Sequence, residues 1–214
     1  MLSIGLDPSL TGFGWCVHDS DAVGPARVSA RGRFSSHSKE IFVKRYMGMR
    51  ACIEDLLDDW PEVRVVGVES PPFGEQFSEG LYGLFLYVCE AVYSRRRDVV
   101  FFDPSTVKCL TKKDPSVRKG RMFKSDMIEA ARADTGIPKW NADEADAYHI
   151  AHFAARFYLL VEGSISVDSL TPSERHSFQR EHTFVRGKHA GETRRYGTIF
   201  RENDRFFRFS TISG

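Results

Sequence analysis

The 214-residue chain reads as an α/β domain, a mixed five-stranded sheet with helices on both faces, followed by a C-terminal extension that closes in a β-hairpin. Three observations carry that reading. Short apolar runs rich in Val, Ile and Phe recur through the first half and are bounded by Pro, Gly and Asp, as strands are. Longer stretches between the later runs space their apolar residues by three and four, the period of a helix with a buried face. The first three strand candidates follow one another directly, whereas the later ones are separated by helices, an order that joins an antiparallel start to crossover connections.

Residues 2–7 are an apolar run that ends in Asp7, a buried central strand. Pro8-Ser-Leu-Thr-Gly12 has turn chemistry, and residues 13–18 return as a second strand of a hairpin. Residues 27–34 are the third strand. Over 40–60, Ile41, Tyr46, Met49, Ile53, Leu56 and Leu57 keep helical spacing, and Pro61 stops it. The fourth strand, 63–69, ends in Glu69 and runs into Pro71-Pro-Phe-Gly74. An apolar helix over 80–94, a fifth strand over 99–102 and a short helix over 104–110 follow. Residues 112–121 form a basic loop, and the helix 123–135 is closed by Gly136 and Pro138. The last core helix, 141–161, opens with Asn141 as N-cap and Glu144 at the capping-box position. Residues 1–162 are taken as the first domain and 163–214 as the extension. The extension is polar and aperiodic over 166–191, with a hairpin over 196–209 around Glu202-Asn-Asp204.

Thirty Lys and Arg against 29 Asp and Glu leave a net charge of +1, so overall charge selects no partner. Cys16, Cys52, Cys89 and Cys109 are scattered with no C-x-x-C pair, the usage of reduced thiols. The first strand is expected to start almost at Met1, which would leave no room for a signal peptide, and no apolar run has the length of a membrane span. The expectation is a cytoplasmic protein with no membrane partner.

Four carboxylates point to one chemistry. Asp7 and Glu69 each end a buried strand, where an acid is costly unless it is paired or binds a metal. Asp143 and Asp146 lie three apart at the start of a helix and so share a face. Two strand-end acids with such a pair are the hard oxygen donor set of a two-metal phosphoryl-transfer site. Each acid also has a plainer reading: Asp7 as a turn former, Glu69 as the partner of an arginine, the aspartates as favourable charges at a helix N-terminus. Their coincidence favours metal, and which of Asp143 and Asp146 coordinates directly stays open. His149 and His152 are also three apart, but nothing completes a zinc set, so ordinary partly buried histidines are the better reading, with a role for His149 in deprotonating water a minor option. Lys108, Lys112, Lys113, Arg118, Lys119, Arg121 and Lys124 have only Asp114 among them, and suit a phosphate backbone better than solvation alone. Phe73 and Phe77 follow Glu69 on a Gly/Pro loop, where an aromatic ring can stack on an opened base. Leu81, Leu84, Phe85, Val88 and Val92 make first of all a core helix, apolar on more than one face, with surface left for a partner helix. The Arg- and Phe-rich tail, Phe178 among its rings, suits either a DNA-binding or dimer-stabilising element or a packed appendage.

Gly5-Leu-Asp7-Pro-Ser-Leu-Thr-Gly12-Phe-Gly14-Trp resembles the first motif of the RuvC-type Holliday-junction resolvases. Val68-Glu69-Ser-Pro resembles their second, and Asn141-Ala-Asp143-Glu-Ala-Asp146-Ala their last. The resemblance covers residues 1–161 and is similar in wording to bacteriophage members, for which the compartment would be the host cytoplasm. It implies an RNase H-like fold, a homodimer, two Mg²⁺ ions per site with Mn²⁺ able to substitute, and cleavage of branched DNA. It carries Asp7, Glu69, Asp143 and Asp146 over as metal ligands and catalytic residues. Lys124, in Lys124-Ser-Asp-Met, falls at the family's basic helix start as a transition-state stabiliser, and Lys108 where the family has a DNA-contacting lysine. Residues 163–214 lie outside the pattern. The alternatives are another RNase H-like nuclease acting on RNA or an RNA–DNA hybrid, and a non-catalytic junction-binding module. Retention of all four acids speaks against the second.

Overall fold

A computed structural model describes residues 1–35, 41–71, 78–112 and 122–178, together with the backbone of three short strands beyond them. Strands β1 (Leu2–Asp7), β2 (Phe13–Asp19) and β3 (Val28–Phe34) form an antiparallel meander. Helix α1 (Phe42–Asp59) leads to β4 (Val65–Glu69), parallel to β1, and α2 (Glu79–Ser94) leads to β5 (Asp98–Phe102), parallel to β4. The strand order β3-β2-β1-β4-β5 is the mixed five-stranded sheet that the sequence predicts. Helices α3 (Pro104–Thr111), α4 (Lys124–Thr135) and α5 (Ala142–Val161) follow. The bounds agree with the sequence reading to within two residues; Arg27 belongs to a 3-10 turn, Gly24–Arg27, that enters β3.

Strand alternation divides the core. Ile4, Leu6, Val17, Val66 and Val68 pack with Tyr46, Met49, Ile53, Leu84 and Val88 of α1 and α2. The intervening positions face α5: Ser3 Oγ donates to the Ala151 carbonyl at 3.0 Å, and Gly5 and Gly67, adjacent in the β1–β4 register, lie beneath it. A Cβ on Gly5 would stand 1.9 Å from the Ala147 carbonyl oxygen, one on Gly67 2.8 Å from Ala154 Cβ, and one on Gly14 2.1 Å from the Asp143 carbonyl oxygen. Helix α5 answers with Ala147, Ala151 and Ala154, all fully buried. Small residues on both sides let helix and sheet backbones meet at close range.

Beyond α5 the described chain stays on the core as far as Phe178. A 3-10 turn, Val167–Ser169, precedes α6 (Pro172–Phe178), where the sequence suggests only an aperiodic stretch. A capping box starts this helix: Thr171 N–H donates to Glu174 Oε2 at 2.8 Å and Glu174 N–H to Thr171 Oγ1 at 3.2 Å. Glu174 also takes a bidentate pair from Arg156 at 2.7 and 3.0 Å. Leu170 and Phe178 are buried with Phe157, the two phenyl rings edge-on at 5.2 Å. Phe178 is therefore a core residue and not a ring offered to a base. Strands β6 (Glu181–Thr183) and β7 (Thr193–Arg195) pair antiparallel, and β8 (Ile199–Phe200) adds an antiparallel sixth strand beside β5. Apart from β8, the hairpin expected over 196–209 lies outside the described residues. No helix among those described is long and apolar enough to cross a membrane.

The close approach of α5 makes a direct test. Gly5→Ala forces a methyl group into helix backbone and should cost about 3 kcal/mol or more in urea unfolding. Gly48→Ala, in α1 with nothing within 4 Å of the new Cβ, should instead stabilise by up to about 1 kcal/mol. Equal effects of the two substitutions would refute the packing described.

Candidate metal centre

Two features of local structure bring the acids together. Asp7 and Glu69 follow Gly5 and Gly67 by two residues, so both carboxylates face the α5 side at the carboxyl ends of β1 and β4. Helix α5 reaches the same place with its N-terminus. There Asn141 Oδ1 accepts from Asp143 N–H at 3.0 Å and Glu144 Oε2 from Asn141 N–H at 3.4 Å, the expected capping box. Glu144 is held further by Arg31, 3.3 Å away, and so serves the cap rather than the cluster.

The cluster is electrostatically strained. Burial, then the charges of Glu69, Asp146 and Asp143, holds the Asp7 carboxyl well above its ordinary value. Burial and Asp146 push Glu69 up to about 7, against the pull of Lys108. Burial raises Asp146 to about 6, opposed by Lys124 and Lys108. Asp143 is in ion pairs: Arg33 Nε lies 2.9 Å from Oδ2 and Lys124 Nζ 3.4 Å from Oδ1. Asp146 Oδ1 is buried and has no hydrogen-bond partner among the described residues. Nor, among those residues, do three His, Cys, Asp or Glu side chains stand as close as the ligands of a single ion.

These residues fit a divalent cation. The donors are all carboxylate oxygens, which suit Mg²⁺ or Mn²⁺ rather than zinc. Asp146 also keeps a buried carboxylate oxygen with no donor among the described residues, a site where a positive charge would be favourable. Besides burial, Glu69 and Asp146 raise the Asp7 carboxyl and Asp146 raises that of Glu69, and Asp143 stands beside them in ion pairs.

Of the other sequence candidates, Lys108 is exposed on α3 and Lys124 is the first residue of α4, both close enough to act on the acids. Lys112 caps α3. Phe73, Lys113, Arg118, Lys119 and Arg121 lie outside the described residues. The histidines belong to the interior: His149 Nε2 sits 3.1 Å from the Met127 carbonyl oxygen, and His152 Nδ1 3.3 Å from His18 Nε2. Burial lowers His152 to about 4 and His18 to about 3. Two residues escape the sequence reading. Arg33 gives no motif signal, since its reach to Asp143 depends on strand register. Phe123, two-thirds exposed beside Lys124, has one usable signal, an aromatic ring flanking a basic run.

No protein-family model matches the chain, and no curated protein matches it in sequence. Its fold is similar to that of two solved RuvC structures, an RNase H-like α/β fold. The Thermus thermophilus RuvC structure aligns with a TM-score of 0.61 at 21% identity, covering 74% of this chain and 95% of that one. T. thermophilus RuvC in complex with a Holliday junction substrate aligns with a TM-score of 0.59 at 19% identity, covering 74% and 94%.

The raised acids set a pH dependence. Glu69, up at about 7 from an ordinary 4.5, is protonated in the folded chain where the unfolded chain has released its proton. Its contribution to stability is present below about 4.5 and is lost as pH rises through about 7. Metal-free Glu69→Gln should therefore be more stable than the parent at pH 8, by about 1–3 kcal/mol, with the difference fading toward pH 4.5. Mg²⁺ should stabilise the parent and not the variant. Thermal melts in EDTA and in Mg²⁺ read both effects; a variant less stable than the parent at pH 8 in EDTA would contradict the assignment.

Proposed function

We propose that the protein is a divalent-metal-dependent endonuclease that cuts branched DNA of the four-way-junction kind and works as a homodimer. The observation that carries this is the meeting of Asp7, Glu69 and Asp146 at the strand ends, with a buried Asp146 oxygen lacking any donor among the described residues. The fold, shared with a RuvC bound to a Holliday junction substrate, supports the choice of DNA substrate.

In this reading Asp7, Glu69 and Asp146 would close on one Mg²⁺, and Asp143 would contribute to holding a second. Such ions would supply a water of lowered pKa and a counter-charge for the leaving oxygen. The chain's own residues do the rest. Lys124, beside Asp143, neutralises charge that develops on the phosphate. Lys108, Lys112, Lys113, Arg118, Lys119 and Arg121 track the backbone on either side, which fixes the strand in place without reading its sequence. Phe73 and Phe123 offer rings to bases opened at the branch. The nuclease core is residues 1–162, and the extension over 163–214 is braced on it through Leu170 and Phe178. A second copy would cover the outer apolar residues of the other helix layer, where Phe42, Val43, Met47, Leu86 and Tyr93 are each at least half exposed. Two-fold symmetry then gives two sites for two strands.

Asp7→Asn preserves volume and removes charge. Cleavage of a labelled four-way junction should fall on the order of a thousand-fold or more, while junction affinity by gel shift stays within a few-fold. Near-normal cutting would sink the metal-site roles. Faster cutting of an RNA–DNA hybrid than of the junction by the parent would shift the substrate class, and junction binding with no cutting in either Mg²⁺ or Mn²⁺ would leave a binding module.

The basic residues should carry the salt dependence. Changing Lys108, Lys112, Lys113 and Lys119 together to Ala should flatten the slope of log affinity against log salt by about 0.9 for each phosphate that is no longer neutralised. An unaltered slope would mean that these cations are solvated surface.

A further inference from the structure

One cation in the centre has no part in the reading above. Arg33 lies on β3, the open edge of the sheet among the described residues. In register it stands opposite Gly14, and Gly14 stands opposite Asp7. Residues in one such row share a face of the sheet, so Arg33, Gly14 and Asp7 all look toward α5. Gly14 has no side chain to block the way, and the Arg33 guanidinium reaches past it to Asp143 Oδ2 at 2.9 Å. Gly12 leaves the space the guanidinium fills: a Cβ there would stand 2.2 Å from an Arg33 terminal nitrogen and 2.8 Å from Asp143 Oδ2. Lys124 occupies the other oxygen, Oδ1. Both oxygens of Asp143 are thus taken by protein cations while an oxygen of Asp146 is orphaned among the described residues.

We infer that Arg33 is a resident counter-ion of Asp143 that a second metal ion must displace, so that the two cation positions fill in sequence: first at Asp7, Glu69 and Asp146, then at Asp143 once Arg33 has let go. The inference rests on the metal-centre reading and adds an order of loading to it. Arg33 acts through Asp143 and is a positioning residue. Arg31, two residues away on the same strand, is the natural control. It carries the same charge but pairs with Glu144 and lies over the Trp140 ring, 4.1 Å from its centroid.

The test is a Mn²⁺ titration of the full chain without DNA, read by electron paramagnetic resonance and by calorimetry. The parent should show one tighter and one weaker class of site. Arg33→Gln should strengthen the weaker class by about three- to fivefold, the upper range for one partly exposed ion pair, and leave the tighter class within about 1.5-fold. Arg31→Gln should leave both near the parent values. Asp143→Asn should abolish the weaker class, and adding Arg33→Gln to it should restore nothing. The order of loading is overturned if Arg33→Gln leaves the weaker class unchanged, if Arg31→Gln strengthens it as much, or if the gain survives in the double variant. A parent that binds no Mn²⁺ at all overturns the metal centre and this inference together, whereas a parent with two indistinguishable sites overturns this inference alone. Should Arg33→Gln fail to fold, Arg33→Ala replaces it with the same expectations.

Discussion

Helix α5 lying almost in contact with the sheet backbone is the constraint on which the rest of the structure depends. At Gly5, Gly14 and Gly67 even a methyl group would collide with the helix, and α5 presents alanines in return. This packing has a chemical consequence through the two-residue period of a strand. A glycine under the helix and an acid two positions on face the same way, so Gly5-Leu-Asp7 and Gly67-Val-Glu69 each couple a contact point to a carboxylate. The helix that rests on the glycines necessarily ends near the acids, and it ends with its N-terminus, the end that favours negative charge. Packing and chemistry are specified by the same few residues.

That arrangement has an energetic cost. Three carboxylates with raised pKa values at one spot oppose folding at neutral pH. Their positive neighbours are Lys108, Lys124 and the α5 N-terminus, while Arg33 and Lys124 direct their contacts to Asp143. Asp7, Glu69 and Asp146 are left undercompensated, a poor design for a structural network and one consistent with the cation site proposed. The buried histidines illustrate the contrast. His18 and His152 also have strongly shifted pKa values, yet each has a partner and neither faces the acids; burial simply keeps them neutral inside the α5 side of the core.

The features legible in the sequence are those written in local patterns. Asp7 and Glu69 stand out because each closes an apolar run, and Asn141 with Glu144 because a capping box has fixed spacing. Thr171-Pro-Ser-Glu174 is as clear a helix start, with Pro at the first position. It escapes notice because only seven residues follow the cap, too few for apolar periodicity to show. Phe178 cannot be placed at all from its neighbours, since its partner Phe157 lies 21 positions earlier and the two meet only after α5 has docked. Arg33 is invisible for a related reason. Its relation to Asp143 runs through the registers of two strand pairs and the absence of a side chain on Gly14, and none of these is a property of a single segment.

The two faces of the sheet also differ in how completely they are covered. On the α5 side, α3, α4 and α6 close around the central helix, and the buried core there runs from Val65 to Phe178. On the other side α1 and α2 form the outer layer alone among the described residues, and apolar side chains remain at their surface. Burying those residues against a second copy would gain roughly 25 cal/mol for each Å² of apolar surface removed from water, with no strain on the strand ends where the acids stand. The proposed assembly surface and the proposed metal centre, on opposite faces of one sheet, could then change independently. The glycine contacts tie the centre to α5 and leave the outer layer free to fit whatever partner it meets.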